Sequence, residues 1–398
     1  MTLLDRFWKR PQGRPKKPSR RRAPVVRVVT DSTACLPEPN VTVGIWEVPL
    51  VVPLYVVTPD GVLREGVDIT ADEVAERLRA GQKLSTSQPA PEDFLTTGRA
   101  LDMAGAKNIV SVHLSSHLSG TSGAAELAFQ KSAVDATVVD SGTVSMALGF
   151  AAQAAAASAA EGLGAADVAR RAAWVARNSH VWFLVDSLEW LRRGGRITAG
   201  AAALGTALGV RPILTIVDGV VKPYARVRTK VAAQRRLMEL ALAQISACAE
   251  PVVAVHHLGA AERAEAIATV VEQESGVKPV VTALSAVLGV HCGPGTVAIV
   301  VADLAEEPED AEPGDTEPEG ADAVDADAVE EMPGARARVV TGDVAGLGAE
   351  AAAGVGVLKG PDKVAGKRTG TRAKASIPDK TPRSSPMSTE VRNSPPTA

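Results

Sequence analysis

Short β-branched runs alternate with amphipathic or alanine-rich segments from residue 25 to about residue 302. Val25–Thr30 reads as a short strand, and Asp31-Ser-Thr33 as the capping and turn cluster behind it. Val48–Val57 reads as a second strand region, closed by the turn Pro59-Asp-Gly61. Thr70-Ala-Asp-Glu73 is a capping box ahead of Val74 and Leu78, with Gly81 as the stop, so a helix is predicted there. A hydroxyl-rich turn at 85–87 then precedes an amphipathic segment around Phe94, Leu95 and Leu101. Ile109–Leu114 is the next strand, and Ala124–Gln130 the helix after it. Between them lies a second hydroxyl-rich turn at 115–122. Val138-Val-Asp-Ser141 ends a further strand and opens an alanine-rich helix. Strand alternating with helix predicts an α/β class with a mostly parallel sheet wrapped on both faces.

The second half keeps the alternation but changes its character. A helix around Val168–Trp174 leads to a strand at Val181–Val185 and a short helix at Asp186–Arg193, halted by Gly194-Gly195. Arg211–Ile216 and Val220–Arg228 flank Asp218-Gly219, the dipeptide of a tight hairpin. Helices near 230–247 and 260–274 alternate with strands at 251–256 and 279–284, and Gly295–Val301 closes the body. The hairpin makes this sheet mixed. Two α/β domains are therefore expected, over residues 25–172 and 173–304.

Charge adds the flanks. Residues 1–24 hold nine Lys or Arg against Asp5 alone, which reads as a disordered basic arm. Residues 306–331 hold thirteen Asp or Glu and no Lys or Arg; beyond them come Pro, Gly, Ala, Ser and Thr without apolar period. The span 305–398 is thus expected to be a disordered tail. The net charge of −3 hides this segregation and says little about the body's partners. No nucleic-acid role is expected of the body. Cys35, Cys248 and Cys292 are widely spaced and without CxxC, which suggests neither a disulfide framework nor a zinc site. The apolar run at 48–57 is short and broken by Pro53, and residues 146–160 are too weakly hydrophobic to span a bilayer. A cytoplasmic protein without transmembrane segment is the expectation.

Candidate chemistry gathers around the strand–loop–helix unit Ile109–Gln130, whose loop hydroxyls and first helical N–H groups point at one spot suited to an anion. Ser116, Ser119 and His117 lie close in sequence, and Asp31, Asp140 and Asp186 are available, so a serine-dependent hydrolase using Ser116 or Ser119 is one reading. No GxSxG occurs, however; the nearest string is Gly120-Thr-Ser-Gly123. Neither a Walker A loop nor HExxH spacing is present, and no cofactor or metal is called for. What remains is an anion-binding constellation. It comprises the two hydroxyl loops, Arg196 beside a glycine pair, Arg226 and Arg228 at a strand end, and His291 before Cys292-Gly-Pro-Gly295.

The chain resembles the DegV family of fatty-acid-binding proteins. The strings that carry the resemblance run in family order over residues 25–302. They are Thr30-Asp-Ser-Thr33, Thr86-Ser-Gln-Pro89, Leu114-Ser-Ser-His-Leu-Ser-Gly-Thr121, Val139-Asp-Ser141, Leu191-Arg-Arg-Gly-Gly-Arg-Ile197, Arg211-Pro-Ile213, Val227-Arg-Thr229 and Gly293-Pro-Gly-Thr296. The resemblance implies a DegV-like fold of two α/β domains with a long-chain fatty acid in the cleft between them. It also implies that Thr86 and Ser119 hold the carboxylate, and that Arg196, Arg228 and His291 serve the head group or an acyl-phosphate. A further implication is a carrier that is not itself an enzyme, presenting its lipid to a separate ATP-binding fatty acid kinase. Two departures stand out. His117 occupies a loop position where glycine is common in the family, and the charged flanks at both ends lie outside the family pattern.

Elementary energetics agree with such a ligand. Each buried methylene contributes roughly 0.8 kcal/mol, so about a dozen provide affinity without further chemistry. The carboxylate that enters with them must be hydrogen-bonded, or it cancels several kcal/mol of that gain.

Overall fold

The computed structural model describes residues 25–37, 48–197 and 211–307. The expected basic arm and all but the first three residues of the expected tail lie outside them. Among the described residues no helix is long and apolar enough to cross a membrane.

The first sheet is parallel throughout, in the order β2-β1-β6-β7. Its strands are β1 (Val26–Asp31), β2 (Leu50–Val52), β6 (Asn108–His113) and β7 (Asp135–Asp140). All six residues of β1 are buried, as a strand covered on both faces requires. Helices α2 (Pro91–Met103) and α3 (Thr121–Phe129) cover one face; α4 (Met146–Glu161) and α5 (Ala165–Arg177) cover the other. A small antiparallel sheet, β4-β3-β5, stands beside it, made of β3 (Tyr55–Thr58), β4 (Gly61–Arg64) and β5 (Ser85–Ser87). Residues 85–87 read as a turn in the sequence. They are extended because Thr86 pairs with Val56 across the ladder, a partner no local pattern announces.

The second sheet has the order β10-β9-β8-β13-β11-β12, antiparallel except for the last pair. Its strands are β8 (Ser179–Leu184), β9 (Arg211–Val217), β10 (Val220–Val227), β11 (Pro251–His257), β12 (Val280–Ala283) and β13 (Val297–Asp303). At the β9–β10 turn both Asp218 (φ 52°) and Gly219 (φ 73°) are left-handed, as a two-residue type I′ hairpin demands. Helices α7 (Lys230–Ala247) and α8 (Ala261–Ser275) cover one face through Leu237, Ile245, Ile267 and Val271.

The other face packs on α4, and this explains the alanines. Twelve of the helix's sixteen residues are buried, some in the core of the first sheet and others against β8 and β13 of the second. A helix buried all round must be apolar all round, and small side chains let two sheets approach it at once. The two halves thus share one helix. The divide expected at 172/173 falls inside α5, and the change of sheet comes at Ser179. Residues 305–307, expected to begin the tail, are held on α5. Arg171 and the Trp174 indole both donate to the Ala305 carbonyl, at 2.6 and 3.1 Å.

Three further α-helices, with a single 3₁₀ turn at Ser32–Ala34, complete the described elements. Helix α1 (Ala71–Arg79) has the predicted capping box, with Thr70 and Glu73 satisfying each other's backbone N–H. Helix α6 is Glu189–Arg193. Helix α9 (Ala286–Cys292) has no counterpart in the sequence reading; seven residues are too few to show a period. Its N-terminus is capped by Ser285 and by the buried Glu65 carboxylate, which accepts from Val287 N–H at 3.2 Å and from the Ser32 hydroxyl at 2.5 Å. Burial pushes the Glu65 carboxyl above its ordinary range, and these hydrogen bonds work against that shift.

Candidate functional site

Strands β1, β6 and β7 end side by side at their carboxyl ends. That edge of an open parallel sheet is where ligands lodge, at the point where the strand order reverses. Here the reversal lies between β1 and β6. A cavity of about 480 Å³ opens beside it, at the carboxyl ends of β6 and β7, within the size range of small-molecule sites. Its apolar walls come from both sheets and α9: Leu114 and Val144 from the first, Val181, Phe183 and Ala298 from the second, Val287 and Leu288 from the helix.

Its polar groups form a linked chain. Thr86 Oγ1 lies 2.8 Å from His291 Nε2, joining β5 to α9. The His291 ring packs on Gly194, where a Cβ would overlap Nδ1. Arg196 donates from Nη1 to the Gly194 carbonyl at 2.5 Å and from Nε to the Leu118 carbonyl at 3.1 Å. Ser119 follows Leu118, with its hydroxyl 2.8 Å from that of Thr121. Of the five site residues named from the sequence, four therefore meet at one place: Thr86, Ser119, Arg196 and His291. All four line the cavity.

The fifth does not join them. Arg228 is exposed, follows the end of β10, and is not part of the lining. Arg226 is half-buried on β10 and is likewise outside the lining. A strand-end arginine can point to either face, and the sequence does not say which.

Electrostatics favour a single anion. Burial, and then the charge of Arg196, pull His291 down to about 4, so its imidazole is neutral at pH 7. Arg196 is then the cation in the polar chain. Helix α3 begins at Thr121 behind Gly120, with no side-chain cap, so its first N–H groups keep their partial positive charge. Gln88, to which the sequence motifs assign no role, lines the cavity beside Gly120.

The serine-nucleophile reading meets a different geometry. Ser116 is exposed, and its backbone N–H donates to Asp140; Ser119 bonds Thr121. Among the described residues the serine–histidine–aspartate order occurs elsewhere. Ser111 Oγ lies 2.7 Å from His113 Nε2, and His113 Nδ1 lies 3.0 Å from Asp31 Oδ2. All three side chains are fully buried, and none lines the cavity. Asp31 also accepts from the backbone of Thr33 and Leu114, so this network ties the end of β1 to the start of the loop that carries Ser119.

Comparison with known proteins agrees with this architecture. The family model described as "Uncharacterised protein, DegV family" matches residues 25–304. A DegV domain-containing protein of Streptomyces coelicolor is 43% identical over 281 residues, covering 70% of this chain and 98% of its own. One from Mycobacterium tuberculosis is 36% identical over 288 residues, covering 71% and 99%. Among solved structures, a fatty-acid-binding DegV family protein from Thermus thermophilus is similar, with 32% identity and a TM-score of 0.64. So is DegV, a fatty acid binding protein from Bacillus subtilis, with 28% identity and a TM-score of 0.64. Each of the two covers 70% of this chain and 99% of its own.

Proposed function

The chain belongs to the DegV family, and from that premise we propose that its cavity holds a long-chain fatty acid and presents the carboxylate to a separate ATP-binding kinase. One observation carries the reading. The polar chain Thr86–His291–Gly194–Arg196–Leu118–Ser119 is continuous, and the cavity's other walls are largely aliphatic. A ligand with one charged end and a long apolar body matches that division.

In this reading the hydroxyls of Thr86 and Ser119 donate to the carboxylate, with the first turn of α3 behind them. Charge-assisted bonds of this kind are about twice as strong as neutral ones. A neutral His291 accepts or donates without adding a second cation. Arg196 supplies the countercharge, and as charge grows toward an acyl-phosphate its interaction strengthens. Arg228, outside the cavity, acts on the docked kinase or on the transferring phosphoryl group rather than on the resting lipid. The protein itself is a carrier, not a catalyst. The kinase partner requires ATP, which places the pair in the cytoplasm.

The test mixes the protein, fatty acid, Mg²⁺ and ATP with and without each candidate kinase from the host. Acyl-phosphate formed only in the presence of a kinase supports the reading. Acyl-phosphate formed by this protein alone overturns the carrier assignment.

A further inference from the structure

Ser145 joins β7 to α4 with φ 57° and ψ −150°, a region that residues bearing a side chain rarely occupy. It is 1% exposed and lines the cavity. Its hydroxyl has no hydrogen-bond partner among the described residues. The neighbouring polar side chains differ in this respect. Thr86 and His291 bond each other, Ser119 bonds Thr121, Arg196 bonds two carbonyls, and Thr296 donates to the carbonyl of Gly293. The other buried side-chain atom without a partner at the cavity, among the described residues, is His291 Nδ1, which is packed against Gly194. Ser145 thus brings a buried, unpartnered donor and acceptor to the wall of the ligand space.

Its surroundings add to this. Ser145 stands at the N-terminus of a sixteen-residue helix, where first-turn N–H groups lack intrahelical acceptors and favour an oxygen. The Met146 N–H is taken by His256 Nε2 at 3.3 Å. That bond also locates the serine along the cavity. His256 lies opposite Ala298 in the β11–β13 ladder, and Ala298 lies opposite Phe183 in the β13–β8 ladder. Ala298 and Phe183 belong to the apolar wall. Ser145 is therefore set over the stretch that faces an acyl chain, not within the polar chain that ends in Thr86 and Ser119.

A plain hydrocarbon leaves such a hydroxyl unpaired, and an unpaired buried hydroxyl is unfavourable. We propose, resting on the fatty-acid reading above, that Ser145 and the N-terminus of α4 form a second polar subsite. It selects acyl ligands that carry an oxygen function along the chain, a hydroxy or oxo fatty acid, over unsubstituted ones. The strained backbone holds the hydroxyl toward the cavity.

The experiment compares dissociation constants for stearic acid and a panel of positional monohydroxystearic acids. The proteins are the wild type, Ser145→Ala and Ser145→Gly; glycine accepts the positive φ and keeps the test sound where alanine impairs folding. The expected result is one isomer, or two adjacent ones, binding the wild type roughly tenfold tighter than stearic acid, about the worth of one buried hydrogen bond. Both variants lose that preference, while their affinity for stearic acid is unchanged or higher. Equal wild-type affinity for every isomer and for stearic acid overturns the proposal, because the hydroxyl is then satisfied by water alone. Loss of stearic acid binding in both variants also overturns it, since the hydroxyl then serves the carboxylate. Wild-type protein that binds neither stearic acid nor any isomer overturns the carrier reading itself, and the subsite with it.

Discussion

The imidazole of His291 lies so close to the backbone of Gly194, Nδ1 foremost, that a single added carbon there would overlap Nδ1. This contact joins α9 to the glycine pair behind α6, and it fixes the ring whose other nitrogen meets Thr86 at 2.8 Å. Gly194 has ordinary helical dihedrals (φ −73°, ψ −9°), so alanine fits its backbone and only the ring is displaced. Gly194→Ala should therefore leave the fold intact and weaken fatty-acid binding about tenfold, the worth of one misplaced hydrogen bond. Calorimetric titration with a long-chain fatty acid checks it, and unchanged affinity would mean that the ring's placement is irrelevant to the ligand.

Replacing Thr86 and Ser119 together by alanine should cost head-group binding roughly 2–4 kcal/mol, since two donors to a charged group are lost. The melting temperature should move little, because neither hydroxyl is fully buried. If the double variant binds as the wild type does, the carboxylate sits elsewhere.

The two arginines separate binding from transfer. Arg196→Ala should reduce both fatty-acid affinity and acyl-phosphate yield, because Arg196 lies in the polar chain of the cavity. Arg228→Ala should leave affinity unchanged and reduce yield alone, because the side chain is exposed outside the cavity. Parallel binding and kinase assays decide this. A matching loss of affinity in Arg228→Ala would place that side chain at the lipid after all.

Acid should destabilise the protein before its carboxylate ion pairs are lost. Burial holds His256 and His291 each at about 4 in the folded state, against an ordinary 6.5. Between those values the unfolded chain binds more protons than the folded one, so stability rises with pH and is lost as pH falls from 6.5 to 4. For the fully buried His256 this is worth roughly 3 kcal/mol. The raised carboxyl of Glu65 works in the opposite direction. The lowered carboxyls of Asp68 and Glu189, at about 2, lose their contribution only below the ordinary carboxylate range. Urea unfolding at pH 7 and pH 4.5 should give a smaller difference for His256→Gln than for the wild type. An equal difference would mean that His256 titrates alike folded and unfolded.

Much of this was legible in the chain because it rests on local chemistry. The capping box at Thr70 and Glu73 uses only near neighbours, and Asp218-Gly219 marks its hairpin by the dihedrals it permits. Thr86 and Ser119 stand out through the strings around them, and the alanine run announces a helix. What escaped notice depends on distant partners. Helix α9 is defined by Ser285 and by Glu65, some 220 residues away, not by its own seven residues. The extended form of 85–87 comes from pairing with β3. The exposure of Arg228 depends on which way a strand end turns. Ser145 gave no signal at all, since its backbone conformation is imposed by the helix it starts and by the loop behind it.

The lipid content of the protein itself tests the central claim most directly. A largely apolar cavity of about 480 Å³ with one polar end should fill from the lipid pool of the cell that makes it. Mass spectrometry of the organic extract of freshly purified protein should find close to one long-chain fatty acid per chain, and Thr86→Ala/Ser119→Ala protein should hold much less. Wild-type protein that repeatedly yields no lipid, and binds none of the fatty acids added back to it, would contradict the account.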